Sequence, residues 1–399
     1  MKYAANYVKS AAAILSSFKN ESPFSIYLKA YFAANKKFGS KDRKFIGQLC
    51  YQYFRTGKSL TDLPTEEAIR VACFLCNEQP SDWGALFNEV WIEAWSPALS
   101  ERIAFIQKEI PAFKVEMIFP FEKWISKSID FSLFSESHLI QPYLFLRIRP
   151  GRQQNVLKAL DKANVAYTTI SENCLALANG TKLEGIGEID KDFVVQDYSS
   201  QQTAELMEPA KKLRKGKDAS IDVWDSCAAS GGKSILARDV LGNMNLTVSD
   251  VRKTIIQNLI SRFQRAGIRQ FDSVIVNLSE PLQSSELQHK TFDLIICDAP
   301  CTGSGTWGRT PEQLLFFKTE SIQDYQQTQQ AIVKSVFPKL RPGAFFLYIT
   351  CSVFEAENEA MVNYISQTFP NVELLSQQLI AGFGKRADSM FAALFRMPD

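Results

Sequence analysis

The 399-residue chain is 46% hydrophobic and 22% charged, the balance of a globular protein with a substantial core, and its length suggests two or three domains. Forty-five Lys and Arg against 43 Asp and Glu leave a formal charge of +2, so bulk charge neither demands nor excludes a nucleic acid partner. No run approaches the roughly 20 apolar residues that a membrane span needs, and the first residues lack the pattern of a signal peptide; a soluble, cytoplasmic protein without a membrane partner is expected.

The first third reads as helix. Phe45, Ile46, Leu49, Cys50 and Tyr53 form an apolar stripe behind a cap at Ser40. Trp83, Leu86, Phe87, Val90, Trp91, Ala94 and Trp95 predict one further helix, capped by Ser81 or Asp82 and closed by Pro97. No β-alternation appears before residue 142, which predicts an all-helical domain over 1–137. Tyr143–Arg149 then alternates, with Leu144, Leu146 and Ile148 on one face and Arg147 and Arg149 on the other. A short helix around Val156 and Leu160 and strands at Val165–Ile170 and Cys174–Ala178 complete a small α/β module over 138–196.

From 197 to 399 strands and helices alternate. Candidate strands are Asp222–Trp224, Leu246–Ser249, Ser273–Val276, Leu294–Cys297 and Phe345–Ile349, with crossover helices such as Ile255–Arg265 and Ile322–Phe337. Near-continuous apolar runs suit strands covered on both faces, so the prediction is α/β, a mostly parallel doubly wound sheet with ligands at the carboxyl ends of its strands.

Those strand ends hold the chemistry. The first runs into Asp225-Ser-Cys-Ala-Ala-Ser-Gly-Gly-Lys233, a small-residue turn that lets backbone approach a ligand. A phosphate-binding Walker loop fails there because Cys227 stands where its first glycine would be. Asp250 ends the second strand, where a carboxylate either holds ribose hydroxyls or caps a helix. Asn277 ends the third and either meets an adenine edge or makes a turn. Asp298-Ala-Pro-Cys301 and Thr350-Cys351-Ser352 end the fourth and fifth. With two histidines among eight cysteines, and Cys73-x-x-Cys76 lacking a second pair, neither a metal site nor a disulfide framework is expected. Two thiols at neighbouring strand ends, one three residues after a carboxylate, point instead to covalent chemistry.

The motifs are similar to those of the Nop/Sun family of S-adenosylmethionine-dependent RNA cytosine-5 methyltransferases, and of its bacterial RsmB-type branch in particular. Asp225–Lys233 resembles D-x-C-A-A-P-G-G-K with Ser230 in place of proline. Asp298–Gly305 resembles D-A-P-C-[ST]-G-[ST]-G, and Arg309-Thr-Pro-Glu312 the R-x-P-[DE] that follows. Thr350–Ser352 with Glu357-Asn-Glu359 resembles T-C-S followed by E-E-N-E, and Val195–Gln201 and Asp388–Ala392 resemble the motifs flanking the domain. The resemblance implies a class I, Rossmann-like methyltransferase domain preceded by a NusB-like RNA-binding helical domain. It implies Cys351 as the attacking thiol, Cys301 in product release and Asp298 at the base. The loop of Cys227, Ala228, Ala229, Ser230, Gly231, Gly232 and Lys233 would hold the methionine part and ribose of S-adenosylmethionine, Asp250 the ribose, Asn277 the adenine, and Asp298 would touch the cofactor too. Ser230, Asn277 and Ile255 depart from the family's usual proline, aspartate and arginine. The expected substrate is RNA, ribosomal RNA first and transfer RNA second; a non-catalytic RNA-binding assembly factor is the reading from another class. Lys211–Lys217 and Arg147, Arg149 and Arg152 are the candidate cationic patches for phosphates.

Overall fold

The computed structural model describes residues 4–79, 83–214, 216, 219–282 and 284–399. They form two compact units, one of Met1–Ile125, Ile129–Gln141 and Thr306–Lys318, the other of Ser126–Ser128, Pro142–Gly305 and Thr319–Asp399.

The first unit is helical. Helices Ala4–Ser17, Phe24–Ala34, Ser40–Arg55 and Thr65–Cys76 pack around Val8, Ile14, Leu49, Cys50, Phe54 and Ile69. The stripe expected from Ile46, Leu49 and Cys50 is buried. Its cap position lies one residue earlier than expected: Ser40 is already helical, and Asp42 Oδ2 accepts the Gly39 N–H at 2.8 Å. The long helix expected from Trp83 to Trp95 is not formed. A 3-10 turn, Gly84–Leu86, is followed by a break and a short helix, Glu89–Ala94, because Asn88 Oδ1 captures the Trp91 N–H at 2.9 Å and starts a new helix. Ser81 and Asp82 lie outside the described residues.

The segment Thr306–Lys318 is an integral part of this unit although it follows the fourth expected strand of the sheet. Trp307, 1% exposed, packs against Phe119, Phe121 and Phe317 with ring centroids 5.6, 5.8 and 4.7 Å away. Phe316 meets Phe18 edge-on at 5.5 Å. Glu312 Oε1 accepts the Phe24 N–H at 3.1 Å, satisfying a donor at the first turn of the Phe24–Ala34 helix. Buried Arg55 donates to the carbonyls of His138 and Gly308 at 2.9 and 2.8 Å.

The second unit contains two sheets. The smaller consists of β1 (Leu144–Ile148), β2 (Tyr167–Ser171), β3 (Cys174–Leu177) and β4 (Phe193–Val195), antiparallel in the order β2-β3-β1-β4. Helix Gln153–Lys162 covers one face through Val156 and Leu160 against Leu146, Ile148 and Leu175. The opposite face is not solvated. Arg147 and Arg149 both close on Asp239, at 2.5 and 2.7 Å, with side chains 7% and 13% exposed. These two arginines therefore cannot form the cationic RNA patch expected of them. Arg152 is more exposed and lies 3.6 Å from Asp192. In the other expected patch Lys211 pairs with Glu208 at 2.5 Å, while Lys215 and Lys217 lie outside the described residues.

The larger sheet contains β5 (Ile221–Asp225), β6 (Met244–Asp250), β7 (Asp272–Ile275), β8 (Phe292–Asp298), β9 (Leu340–Thr350), β10 (Glu373–Ile380) and β11 (Met390–Arg396). Its order is β10-β11-β9-β8-β5-β6-β7. Pairings among β5–β9 are parallel, and those of β11 with β9 and β10 are antiparallel. Successive residues of β8 face opposite layers: Leu294 and Ile296 join Leu236, Leu259 and Phe263, whereas Ile295 and Cys297 join Val333, Val336 and Met361. Burying each such large apolar side chain contributes about 1.5–3 kcal/mol. The chain order reverses between β5 and β8, and the crevice outside their carboxyl ends is where such a sheet accepts a ligand. No helix among the described residues is long and apolar enough to cross a membrane.

Candidate active site

A cavity of about 480 Å³, a volume ordinary for a small-molecule site, opens at the carboxyl ends of β5, β6, β7 and β8. Cys227, Ala229, Asp250, Asn277, Asp298 and Cys301 all line it, six of the residues singled out from the sequence. Val276, Leu278 and Ile332 supply an apolar wall.

The β5 turn is built for close approach. Ala229 has φ +44° and Gly231 φ +81°. A Cβ on Gly231 would lie 2.4 Å from the Phe263 ring, so only glycine lets the turn settle on the Lys253–Ala266 helix. Ser230 is held from outside, its Oγ accepting from Arg262 Nη1 at 3.0 Å. Below the turn, wholly buried Asp225 accepts the Ser234 hydroxyl at 2.6 Å, and burial pushes its carboxyl up to about 7.

Lys233 does not reach into the cavity as a phosphate-binding lysine would. Its buried ammonium bridges Ser200 Oγ at 2.9 Å and Asp298 Oδ2 at 3.1 Å. Ser200 also accepts from Gln196 Nε2 at 3.1 Å, and Gln196 Oε1 accepts from Arg147 at 2.7 Å. The segment Val195–Gln201 is thereby wired to Asp298. Ala228, Gly231, Gly232 and Lys233 shape the turn from behind and are not on the cavity wall.

Asp250 lines the cavity and, through Arg252, makes a turn just ahead of the Lys253–Ala266 helix, which its side chain does not cap. Its Oδ1 accepts the Arg252 N–H at 2.9 Å, its Oδ2 accepts the Ala229 N–H at 3.1 Å, and the Arg252 guanidinium contacts both oxygens. Burial opposes ionisation of this carboxyl, but those donors outweigh it and hold it below its ordinary range. Asn277 makes the turn, its Oδ1 accepting the Ser279 N–H at 3.1 Å, and it lines the cavity.

At the β8 and β9 ends, Cys301 Sγ and Cys351 Sγ stand 3.2 Å apart. The neighbouring Cys351 thiol, burial and the charge of Glu357 keep the Cys301 thiol well above its ordinary range. Gly305 permits this approach: its N–H donates to Cys351 O at 2.9 Å, and a Cβ there would sit 2.1 Å from the Ser389 carbonyl oxygen. Cys227 contacts Cys297, and that contact with burial pushes its thiol up as well, which suits a wall residue and not a nucleophile. All eight cysteines are free.

Three participants escaped the sequence reading. Arg252 stands on the cavity wall, and its signal was only its place two residues after Asp250. Tyr325 and Thr328 enter from the Glu320–Val336 helix, whose facing residues nothing in the local pattern reveals.

Residues 212–395 match the family described as 16S rRNA methyltransferase RsmB/F. That stretch, less than half of the chain, is similar to the RsmB/F family. Ribosomal RNA small subunit methyltransferase F of Vibrio vulnificus is 27% identical over 178 residues, 44% of this chain and 36% of the relative. Ribosomal RNA small subunit methyltransferase B of Xylella fastidiosa is 30% identical over 168 residues, 42% of this chain and 37% of the relative. The alignment thus spans little more than a third of the length of these RsmB/F relatives. Among solved structures, PH0851 aligns over 96% of both chains at 16% identity with a TM-score of 0.67. NSun6 from Pyrococcus horikoshii, crystallised with SFG, aligns over 71% of this chain and 97% of its own at 14% identity and a TM-score of 0.55. These likenesses show that the α/β, Rossmann-like fold is shared.

Proposed function

We propose that the protein transfers a methyl group from S-adenosylmethionine to carbon-5 of a cytosine in ribosomal RNA, in the cytoplasm, through a covalent cysteine–cytosine adduct. The observation that carries this reading is the pair of thiols 3.2 Å apart beside a cavity lined by Asp250, Asn277 and Asp298. The cavity suits the cofactor: a carboxylate and an amide stand at successive strand ends, with an apolar wall for a flat base. Its relatives' names and the SFG-bound neighbour support the same ligand and substrate class.

S-adenosylmethionine supplies an electrophilic methyl group. The chain must make carbon-5 of cytosine nucleophilic, which an intact aromatic ring prevents. Addition of the Cys351 thiolate to carbon-6 breaks the aromaticity and leaves carbon-5 enamine-like. Asp298, steadied by Lys233, hydrogen-bonds the base near nitrogen-3 and stabilises the adduct. After methyl transfer the carbon-5 proton passes to a base and Cys351 leaves carbon-6 as a thiolate, restoring the aromatic ring; Cys301, 3.2 Å away, assists this release of the product. The target cytosine must lie in a loop or be flipped out, since a stacked base cannot enter.

The test separates the thiols. Cys351→Ala should lower methylation roughly 10⁴-fold or more. Cys301→Ala should accumulate a protein–RNA species that survives denaturing electrophoresis, and RNA containing 5-fluorocytosine should trap the unaltered enzyme. Activity retained in Cys351→Ala and trapping lost in Cys301→Ala would reverse the roles. Bisulfite sequencing of total RNA from a deletion strain should show one ribosomal cytosine losing its methyl group; loss at a transfer RNA position instead would replace the substrate.

A further inference from the structure

Glu357 takes no part in the chemistry above and is not on the cavity wall, yet it is wholly buried. It ends the 3-10 turn Glu355–Glu357 beyond β9. Its Oε1 accepts the Thr302 N–H at 2.9 Å and Gln329 Nε2 at 3.0 Å. Its Oε2 accepts the Thr302 hydroxyl at 2.6 Å and the Ser352 hydroxyl. Thr302 immediately follows Cys301, and Ser352 immediately follows Cys351. Gln329 also donates to the Pro300 carbonyl at 3.0 Å, so Cys301 is gripped on both sides.

Burying a carboxyl group carries a desolvation penalty that donors must offset. Burial raises the Glu357 carboxyl, and the hydrogen bonds from Ser352, Thr302 and Gln329 oppose that rise. Neither β8 nor β9 needs this group for its own ladder, since Ala299 N–H already continues the pairing to Ile349 O at 2.9 Å. What the carboxyl adds lies beyond the last ladder bond, where the two chains leave the sheet and the thiols stand.

We propose that Glu357 is a positioning residue that ties the Cys301 loop to the Cys351 loop and so fixes the spacing of the two thiols. The proposal rests on the covalent reading above. Displacement of a reacting group by about 1 Å costs on the order of 100-fold in rate, which is the scale at which a lost tie becomes visible.

The test uses the full chain with Glu357→Ala, Glu357→Gln and Ser352→Ala. Phenylarsine oxide reads the spacing without any turnover: two thiols each form an As–S bond, and the oxide leaves as water. The signal belonging to this pair is the capture lost in Cys301→Ala. Glu357→Ala should weaken that capture by about tenfold or more and lower kcat by about 100-fold, with KM for S-adenosylmethionine and for RNA within about twofold of the unaltered enzyme. Glu357→Gln, which keeps an accepting oxygen for Thr302 and Gln329, should recover most of both. Should Glu357→Ala fail to fold, Ser352→Ala must show the weakened capture by itself. Unchanged capture in the folded variants, or a KM that rises as kcat falls, overturns the proposal. Glu357-dependent capture in an enzyme that methylates no RNA would support the positioning and overturn the function.

Discussion

The two units differ in how much of their long-range joining is done by rings and how much by hydrogen bonds. In the helical unit rings join distant segments alongside the hydrogen bonds of Arg55 and Glu312: Phe18 meets Phe24 and Phe316, and Trp307 sits among Phe119, Phe121 and Phe317. At the carboxyl edge of the large sheet the joining contacts are polar, with Asp298, Lys233 and Ser200 in one chain and Glu357, Thr302 and Ser352 in another. Ring packing tolerates small shifts, because dispersion is spread over many atoms. Hydrogen bonds to a buried carboxylate do not, because they fail steeply with distance and angle. A surface needs only to present its shape, whereas a pair of thiols must be held to fractions of an ångström.

Three expectations sharpen the contrast. The largest is Trp307→Ala, which should destabilise the helical unit by about 3–5 kcal/mol. Amide hydrogen exchange should then rise in Ala4–Cys76 while cofactor affinity stays; equal loss of both would mean the units are one cooperative body. Next, Asp250→Ala should weaken S-adenosylmethionine binding by about 1.5–3 kcal/mol, the worth of charge-assisted hydrogen bonds, with exchange in the helical unit unchanged. Titration calorimetry showing full affinity would leave Asp250 as a turn residue alone.

The smallest effect is a pH response of opposite sign in the two units. His138 is buried against Phe119, and burial pulls its imidazole down to about 4, despite its hydrogen bond with the Phe134 carbonyl at 2.9 Å. The unfolded chain takes up that proton first, so this stability is present above an unfolded value of 6.5 and is lost as pH falls toward 4. At pH 5 the loss is about 2 kcal/mol. Asp225, raised to about 7, acts oppositely: it destabilises the sheet unit as pH rises from 3.8 toward 7. Exchange measured at pH 5 and pH 7 should show the helical unit loosening in acid, and His138→Phe should flatten that response.

Much of this arrangement could be read from the chain, for physical reasons that differ by element. Strands β8 and β9 were legible because burial on both faces writes stretches such as Leu294–Cys297 and Phe345–Ile349 as unbroken apolar runs, while β5 and β6 were legible from the strand–helix alternation around them. Edge strand β10 was not, since Leu374 and Leu375 are adjacent, part-exposed and next to a register shift. The small sheet's alternation was legible, yet its arginine face was misread because Asp239 arrives from a helix some ninety residues later. The thiols, Asp250 and Asn277 announced themselves by standing at strand ends. The role of Glu357 between two loops did not, because partners at Thr302 and Gln329 leave no local mark, and Arg252 was marked only by its place two residues after Asp250.

The placement of Thr306–Lys318 in the helical unit has a consequence for synthesis. A ribosome adding about 5–20 residues per second makes residue 306 roughly 8–33 s after residue 141. During that interval Phe18, Phe54 and Phe119 lack ring partners that belong to them in the finished protein. The unit that begins first is therefore completed late, after most of the large sheet has emerged. The nascent chain carries an apolar face through that delay, so slowing translation between these points should lengthen its exposure to chaperones and proteases.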